Sequence, residues 1–136
     1  MSVFTQRELA FLASQRLGRL ATVSARGEPH VVPVAFRHNP LLDSIDVGGT
    51  GLPATRKYRD VAATGRAAFV VDDDPGPGKG RGMEVRGRAE VLPAGGQELD
   101  PRFGPELIRV IPGRIVSWGI EATGAGPSGR SVNRRG

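Results

Sequence analysis

The chain has no cysteine, which excludes a disulfide scaffold, thiol catalysis and thiolate metal sites. It has no apolar run long enough to span a bilayer, and its first residues lack the basic-then-apolar pattern of a secretory leader. The expectation is therefore a cytoplasmic protein with no membrane partner. Histidine is scarce. His30 and His38 have no carboxylate at ligand spacing, so neither builds a metal site and no metal is expected. There is no Gly-x-Ser-x-Gly elbow and no carboxylate pair set apart by its context. No residue can be named as catalytic from the sequence, and a bound cofactor is the natural source of any reactivity.

What is present points to turns and short strands. The 136 residues include 20 Gly and 11 Pro but only one Trp, one Tyr and five Phe, a composition unlike that of a helical bundle. This length suits one domain with a normal core. The net charge is +5, and Arg130, Arg134 and Arg135 lie in a stretch after residue 122 that has no acid. The division expected is a folded domain over 1–123 and a Gly/Ser/Arg-rich tail over 124–136, mobile unless a ligand or partner pins it. A frayed basic tail can touch nucleic acid without specificity. No zinc-finger, RNA-binding or helix-turn-helix pattern supports such a partner, so nucleic acid is not expected.

Thr5 and Glu8 form a capping-box pattern ahead of Leu9, Phe11 and Leu12, predicting a short helix. Strands are predicted over 18–24, 29–37 and 44–48, the first two joined by a turn at 25–28. Pro33 inside the second strand cannot donate to a ladder, which implies an edge, a bulge or an opening of the sheet. A second helix over 55–63 is expected to bury Tyr58, Val61 and Ala62. The continuous apolar run 67–71 reads as a strand buried on both faces. A loop follows, then a long alternating strand over 83–92. The 93–105 stretch is turn-rich, with one helical turn near Gln97. A last strand region, 107–120, is bent at Pro112-Gly113. The order β-β-β-α-β-β-β with antiparallel patterning suggests a small barrel. Six short strands cannot enclose a large ligand, so a sizeable cofactor must lie on the barrel or between two copies.

One stretch reads as an anion clamp. Thr55 can cap the second helix, and Arg56 and Lys57 then sit beside an N-terminus whose N–H groups and dipole favour an anion. Basic residues there oppose the dipole unless a negative ligand is present. The preceding Asp46-Val47-Gly48-Gly49-Thr50-Gly51 ends a strand in glycines that let a ligand approach the backbone. Trp118 reads first as core packing and second as a ligand-stacking residue.

The same segments carry a resemblance. Gly18-Arg19-Leu20-Ala21-Thr22-Val23, Gly27-Glu28-Pro29-His30-Val31-Val32-Pro33-Val34, Asp46-Val47-Gly48-Gly49-Thr50 and Ala54-Thr55-Arg56-Lys57-Tyr58-Arg59-Asp60-Val61 follow one another in a familiar order. So do 66–73, 82–90 and 114–120. The chain resembles the split-β-barrel flavin and deazaflavin oxidoreductases, the pyridoxamine 5′-phosphate oxidase-like proteins, and within them the subgroup that uses coenzyme F420. The resemblance implies a mainly β (α+β) fold, a six-stranded antiparallel split β-barrel with two short helices of the FMN-binding type. It implies a homodimer with the cofactor at the subunit interface, and hydride transfer from reduced F420 to an electron-poor small molecule. FMN is the alternative cofactor, and a non-catalytic flavin or F420 carrier the alternative role. By position it implies that Thr55, Arg56 and Lys57 grip the cofactor phosphate. Val32, Pro33 and Val34 would line the ring with their backbone, Thr50 would lie near the ring and ribityl chain, and Trp118 would be contributed by the second subunit. Ala63-Thr64-Gly65 stands where the family usually has Asn-Pro, a change confined to a turn.

Overall fold

The computed structural model describes residues 1–121 and 127–132. A helix, α1 (Gln6–Ser14), precedes three strands, β1 (Leu17–Val23), β2 (Pro29–Asn39) and β3 (Ser44–Gly48). A short 3-10 turn (Leu52–Ala54) leads into α2 (Arg56–Thr64), followed by β4 (Arg66–Asp73) and β5 (Arg81–Leu92). After a second 3-10 turn (Gly96–Glu98) come β6 (Leu107–Trp118) and β7 (Ser128–Ser131). The strands run antiparallel in the order β3-β2-β1-β4-β5-β6, and β3 pairs with β6 to close the barrel. This is the six-stranded split barrel the sequence implied, with β7 added beside β6.

Alternation explains the interior. Leu20, Val34, Ile45, Val47, Phe69, Val71, Met83, Val85, Val110 and Ile115 all face inward and are buried, the half of each strand that period two turns to one side. The long β5–β6 ribbon bends because its register shifts between Arg86 and Gly87. Gly87 pairs with Pro112 while Arg86 pairs with Arg114, so Gly113 is the extra residue of a bulge. A Cβ on Gly87 would lie 1.9 Å from the Ile111 carbonyl oxygen, so only glycine fits this crossing.

The helices cap opposite ends. The capping box of α1 forms as read: Glu8 N–H donates to Thr5 Oγ1, and Thr5 N–H to Glu8 Oε1. This helix sits over the end of the barrel where Gln15 donates to Asp73 and the Arg81 guanidinium lies over the Phe11 ring. The second helix covers the other end, where Thr22 Oγ1 donates to the buried Asp60 at 2.8 Å. Its buried side is Val61 and Asp60. Tyr58 is half-buried and Ala62 is exposed, a correction to the expected face, because the barrel end is met by a narrower stripe than three residues.

Two other expectations change. The 67–71 run is buried on its inner side only: Ala67, Phe69 and Val71 are buried while Ala68 and Val70 are half-exposed. Part of the expected tail is ordered: Arg130, on β7, makes two hydrogen bonds to the fully buried Glu8 at 3.0 and 2.6 Å and one to the Val3 carbonyl at 2.7 Å. The 123/124 division and Arg134 and Arg135 lie outside the described residues.

Candidate functional site

The split in the barrel lies along β2. Residues 29–34 pair with β1 alone and residues 36–39 with β3 alone, Ala35 joining both, so the 29–34 half has no strand on its β3 side among the described residues. Pro33, with no N–H to give, falls in this one-sided half, which accounts for a proline inside a strand. Val34 turns into the core at 4% exposure, while Val32 and Pro33 are exposed. β3 ends at Gly48, and the chain then crosses Gly49, the exposed Thr50 and the 3-10 turn to reach α2.

Thr55 caps α2 as the sequence predicts, its Oγ1 accepting from Tyr58 N–H and donating to the Leu52 carbonyl at 2.6 Å. The first turn of α2 contains no acidic residue. Arg56 Nη1 donates to His30 Nε2 at 2.8 Å. Guanidinium cannot accept, so the ring nitrogen is the acceptor of this bond. This bond ties the helix N-terminus to the one-sided half of β2, two residues from Val32. Lys57 is half-buried, and among the described residues it has no hydrogen bond or ion pair. Burial pushes its ammonium below the ordinary lysine value. A partly desolvated cation without a counter-charge, at a helix start that already repels cations, is a configuration an anion stabilises.

Thr55, Arg56, Lys57 and the Val32–Pro33–Val34 stretch are thus placed around one corner, with Thr50 on the approach to it. Trp118 is not. It ends β6 and pairs with Gly82 of β5, which is level with Asp72 at the α1 end of the barrel, whereas α2 covers the other end, so within one protomer it does not join the corner. Gly48 also differs from expectation. A Cβ there would lie 2.9 Å from Phe103 Cδ2, so the space it vacates is filled by the protein's own ring. Gly49 and Gly51 remain open: a Cβ on Gly51 meets nothing within 4 Å, and one on Gly49 meets only Leu52. His30 was missed as a member of the corner. The one signal available was its place on β2 two residues before Val32, and its partner Arg56 is 26 residues away.

The pyridoxamine 5′-phosphate oxidase family matches residues 4–116, from before α1 to within β6. The chain belongs to this family. As a pyridoxamine 5′-phosphate oxidase-like protein it is an oxidoreductase. It is 48% identical over 120 residues to a Streptomyces rimosus protein named 5a,11a-dehydrotetracycline/5a,11a-dehydrooxytetracycline reductase, covering 87% of this chain and 84% of that protein. Among solved structures, a conserved hypothetical protein from Mycobacterium tuberculosis aligns with TM-score 0.70 at 19% identity, over 99% of this chain and 94% of the other. An FAD binding protein from Mycobacterium smegmatis aligns with TM-score 0.62 at 20% identity, over 86% and 96%. At these identities the structural likeness bears on the fold alone.

Proposed function

We propose that this family member is an F420-dependent reductase that acts on an electron-poor carbon–carbon double bond in a small organic molecule. The observation that carries the reading is Lys57: a half-buried ammonium without a counter-charge among the described residues, at the capped start of α2, tied through Arg56 and His30 to the one-sided half of β2. The residues fit a phosphorylated tricyclic cofactor. Lys57 and the free N–H groups of the first turn suit the phosphate, and Thr50 stands where a linking chain would pass. The backbone of Val32, Pro33 and Val34, unpaired on one side, suits the polar edge of the ring. When bound, the reduced cofactor supplies the hydride. The chain's own part is to hold the ring against β2, exclude water and fix the substrate's electrophilic carbon over it. A proton from solvent or a site hydroxyl completes reduction of the double bond. The substrate class is supported by the 48% identical reductase, whose named substrates are dehydrotetracyclines. A second subunit closing over the exposed Val32 and Pro33 would complete the pocket.

FMN is the second reading, because the phosphate grip is common to both cofactors. The test is turnover. Purified chain with reduced F420 and a panel of quinones, enones and 5a,11a-dehydrotetracycline is expected to oxidise F420 only when an electron-poor alkene is present. Activity with reduced FMN alone would move the assignment to flavin. Tight binding of F420 without turnover on any member would favour a carrier.

A further inference from the structure

One aromatic ring is held on the outside of the barrel, where the split begins. Along β3, Ile45 and Val47 point inward and are fully buried, so Ser44, Asp46 and Gly48 turn to the outer face. The segment between β5 and β6 covers that face. A Cβ on Gly48 would lie 2.9 Å from Phe103 Cδ2 and 3.3 Å from Leu99 Cδ2. Gly48 is therefore the floor on which the Phe103 ring rests, and the ring is only half-buried. Bonds on every side fix it there. Gly96 N–H donates to the Pro105 carbonyl and Phe103 N–H to the Asp100 carbonyl, at 2.8 and 2.9 Å. Arg37 of β2 donates to Glu98 at 2.8 Å, and Gly104 N–H to the Gly49 carbonyl at 3.3 Å. The last two contacts moor the segment to β2 and to the glycines leading to α2. An aromatic surface fixed in advance receives a planar ligand without the cost of ordering a loop.

Position decides what the ring can meet. Ala35 is level with Gly48, and Pro33 lies two residues further along β2 on the same outer face. With strands about 4.8 Å apart and about 3.3 Å of rise per residue, Pro33 is about 8 Å from Gly48. Thr50, on the approach to the corner, is two residues beyond Gly48 in the chain. Phe103 thus stands at the foot of the gap that the one-sided half of β2 leaves open. A single six-membered ring is smaller than the span from Pro33 to this platform. A molecule of several fused rings covers it, with its reacting double bond beside residues 32–34 and its far ring at the stacking distance of aromatic pairs from Phe103, about 4.5–7 Å.

We propose that Phe103 is a specificity-determining residue, a stacking platform that selects planar substrates of several fused rings over single-ring ones. This rests on the reading of Lys57 and residues 32–34 as the cofactor corner, and it names the substrate shape that corner serves. Phe103→Leu keeps an apolar side chain on Gly48 and removes the ring, whereas Phe103→Tyr keeps the ring. Both are checked for an unchanged circular dichroism spectrum. With reduced F420, Phe103→Leu is expected to raise KM for the four-ring 5a,11a-dehydrotetracycline at least about tenfold. Its kcat/KM for 2-cyclohexenone and its F420 affinity should stay at the parent's values, and Phe103→Tyr should match the parent throughout. A parent chain that prefers the single-ring enone, equal losses on both substrates, or an unchanged preference in Phe103→Leu would each overturn the proposal. Calorimetric titration with 5a,11a-dehydrotetracycline, with and without F420, separates the platform from the cofactor assignment. Binding that Phe103→Leu weakens, in a chain that takes up no F420, would retain the platform and remove the cofactor. Failure of the parent to bind the polycycle under both conditions would overturn the platform and leave F420 binding to its own titration.

Discussion

Arg130→Ala should uncouple the two ends of the chain, and its cost can be worked from the contacts it removes. Glu8 is fully buried, and Arg130 donates two hydrogen bonds to its carboxylate together with one to the Val3 carbonyl. Hydrogen bonds to charged groups contribute about 1.5–3 kcal/mol, and removing one partner of a fully buried pair costs about 3–5 kcal/mol. The Arg130 side chain is 37% exposed, so solvent screens the pair and about 2–3 kcal/mol is expected at neutral pH. The pH dependence is the sharper signature. Burial raises the Glu8 pKa, but the Arg130 and Thr5 hydrogen bonds, the Arg130 charge and Ser117 outweigh it and hold the carboxyl below its ordinary value. In the parent chain this stabilisation is present above the unfolded carboxyl's pKa, about 4.3, and is lost as pH falls through the lower folded value. Without Arg130 the burial effect dominates and the folded pKa rises, so the variant tolerates a neutral Glu8 better than an ionised one. Urea unfolding at several pH values should therefore show the gap between the two proteins widest near pH 7 and shrinking toward pH 4. A gap below about 0.5 kcal/mol, or one independent of pH, would refute the clasp.

Three further substitutions test particular contacts. Thr22→Val removes the hydroxyl bonded to buried Asp60 and should cost about 1–3 kcal/mol in the same urea assay. Thr55→Ala deletes the cap of α2, with an expected loss of about 1 kcal/mol. Gly87→Ala drives a Cβ into the Ile111 carbonyl. Backbone on both sides cannot yield there, so destabilisation of about 3 kcal/mol is expected, and a melting temperature equal to the parent's would contradict the bulge geometry.

Much of this architecture is legible in one dimension. The Thr5–Glu8 box, the strand at Ser44–Gly48, the cap at Thr55 and the helical turn at Gln97 are local signals, written in residues within four positions of one another. The features that escaped are those that join distant segments. Arg130 lies 122 residues from Glu8, and Arg109 63 residues from the buried Asp46 it grips. A charged residue in a strand reads as a solvated face until topology supplies its partner. The order of β7 was hidden for the same reason, because Ser128–Ser131 has a loop's composition and takes its place beside β6 through pairing. At the candidate site, the capped cationic turn and the misfit proline were visible in the sequence. That they meet at one corner is a property of the split barrel, and His30 became part of it only through that meeting.

Calorimetric titration of the parent chain and of Lys57→Ala with F420, and with FMN for comparison, tests the central claim most directly. The parent is expected to bind F420 with Kd below about 100 μM, near −5.5 kcal/mol. Loss of one charged hydrogen bond should weaken the variant by roughly 1.5–3 kcal/mol, about 10- to 150-fold. Failure of the parent to bind either cofactor in that range, or an unchanged affinity without the Lys57 ammonium, would contradict the account.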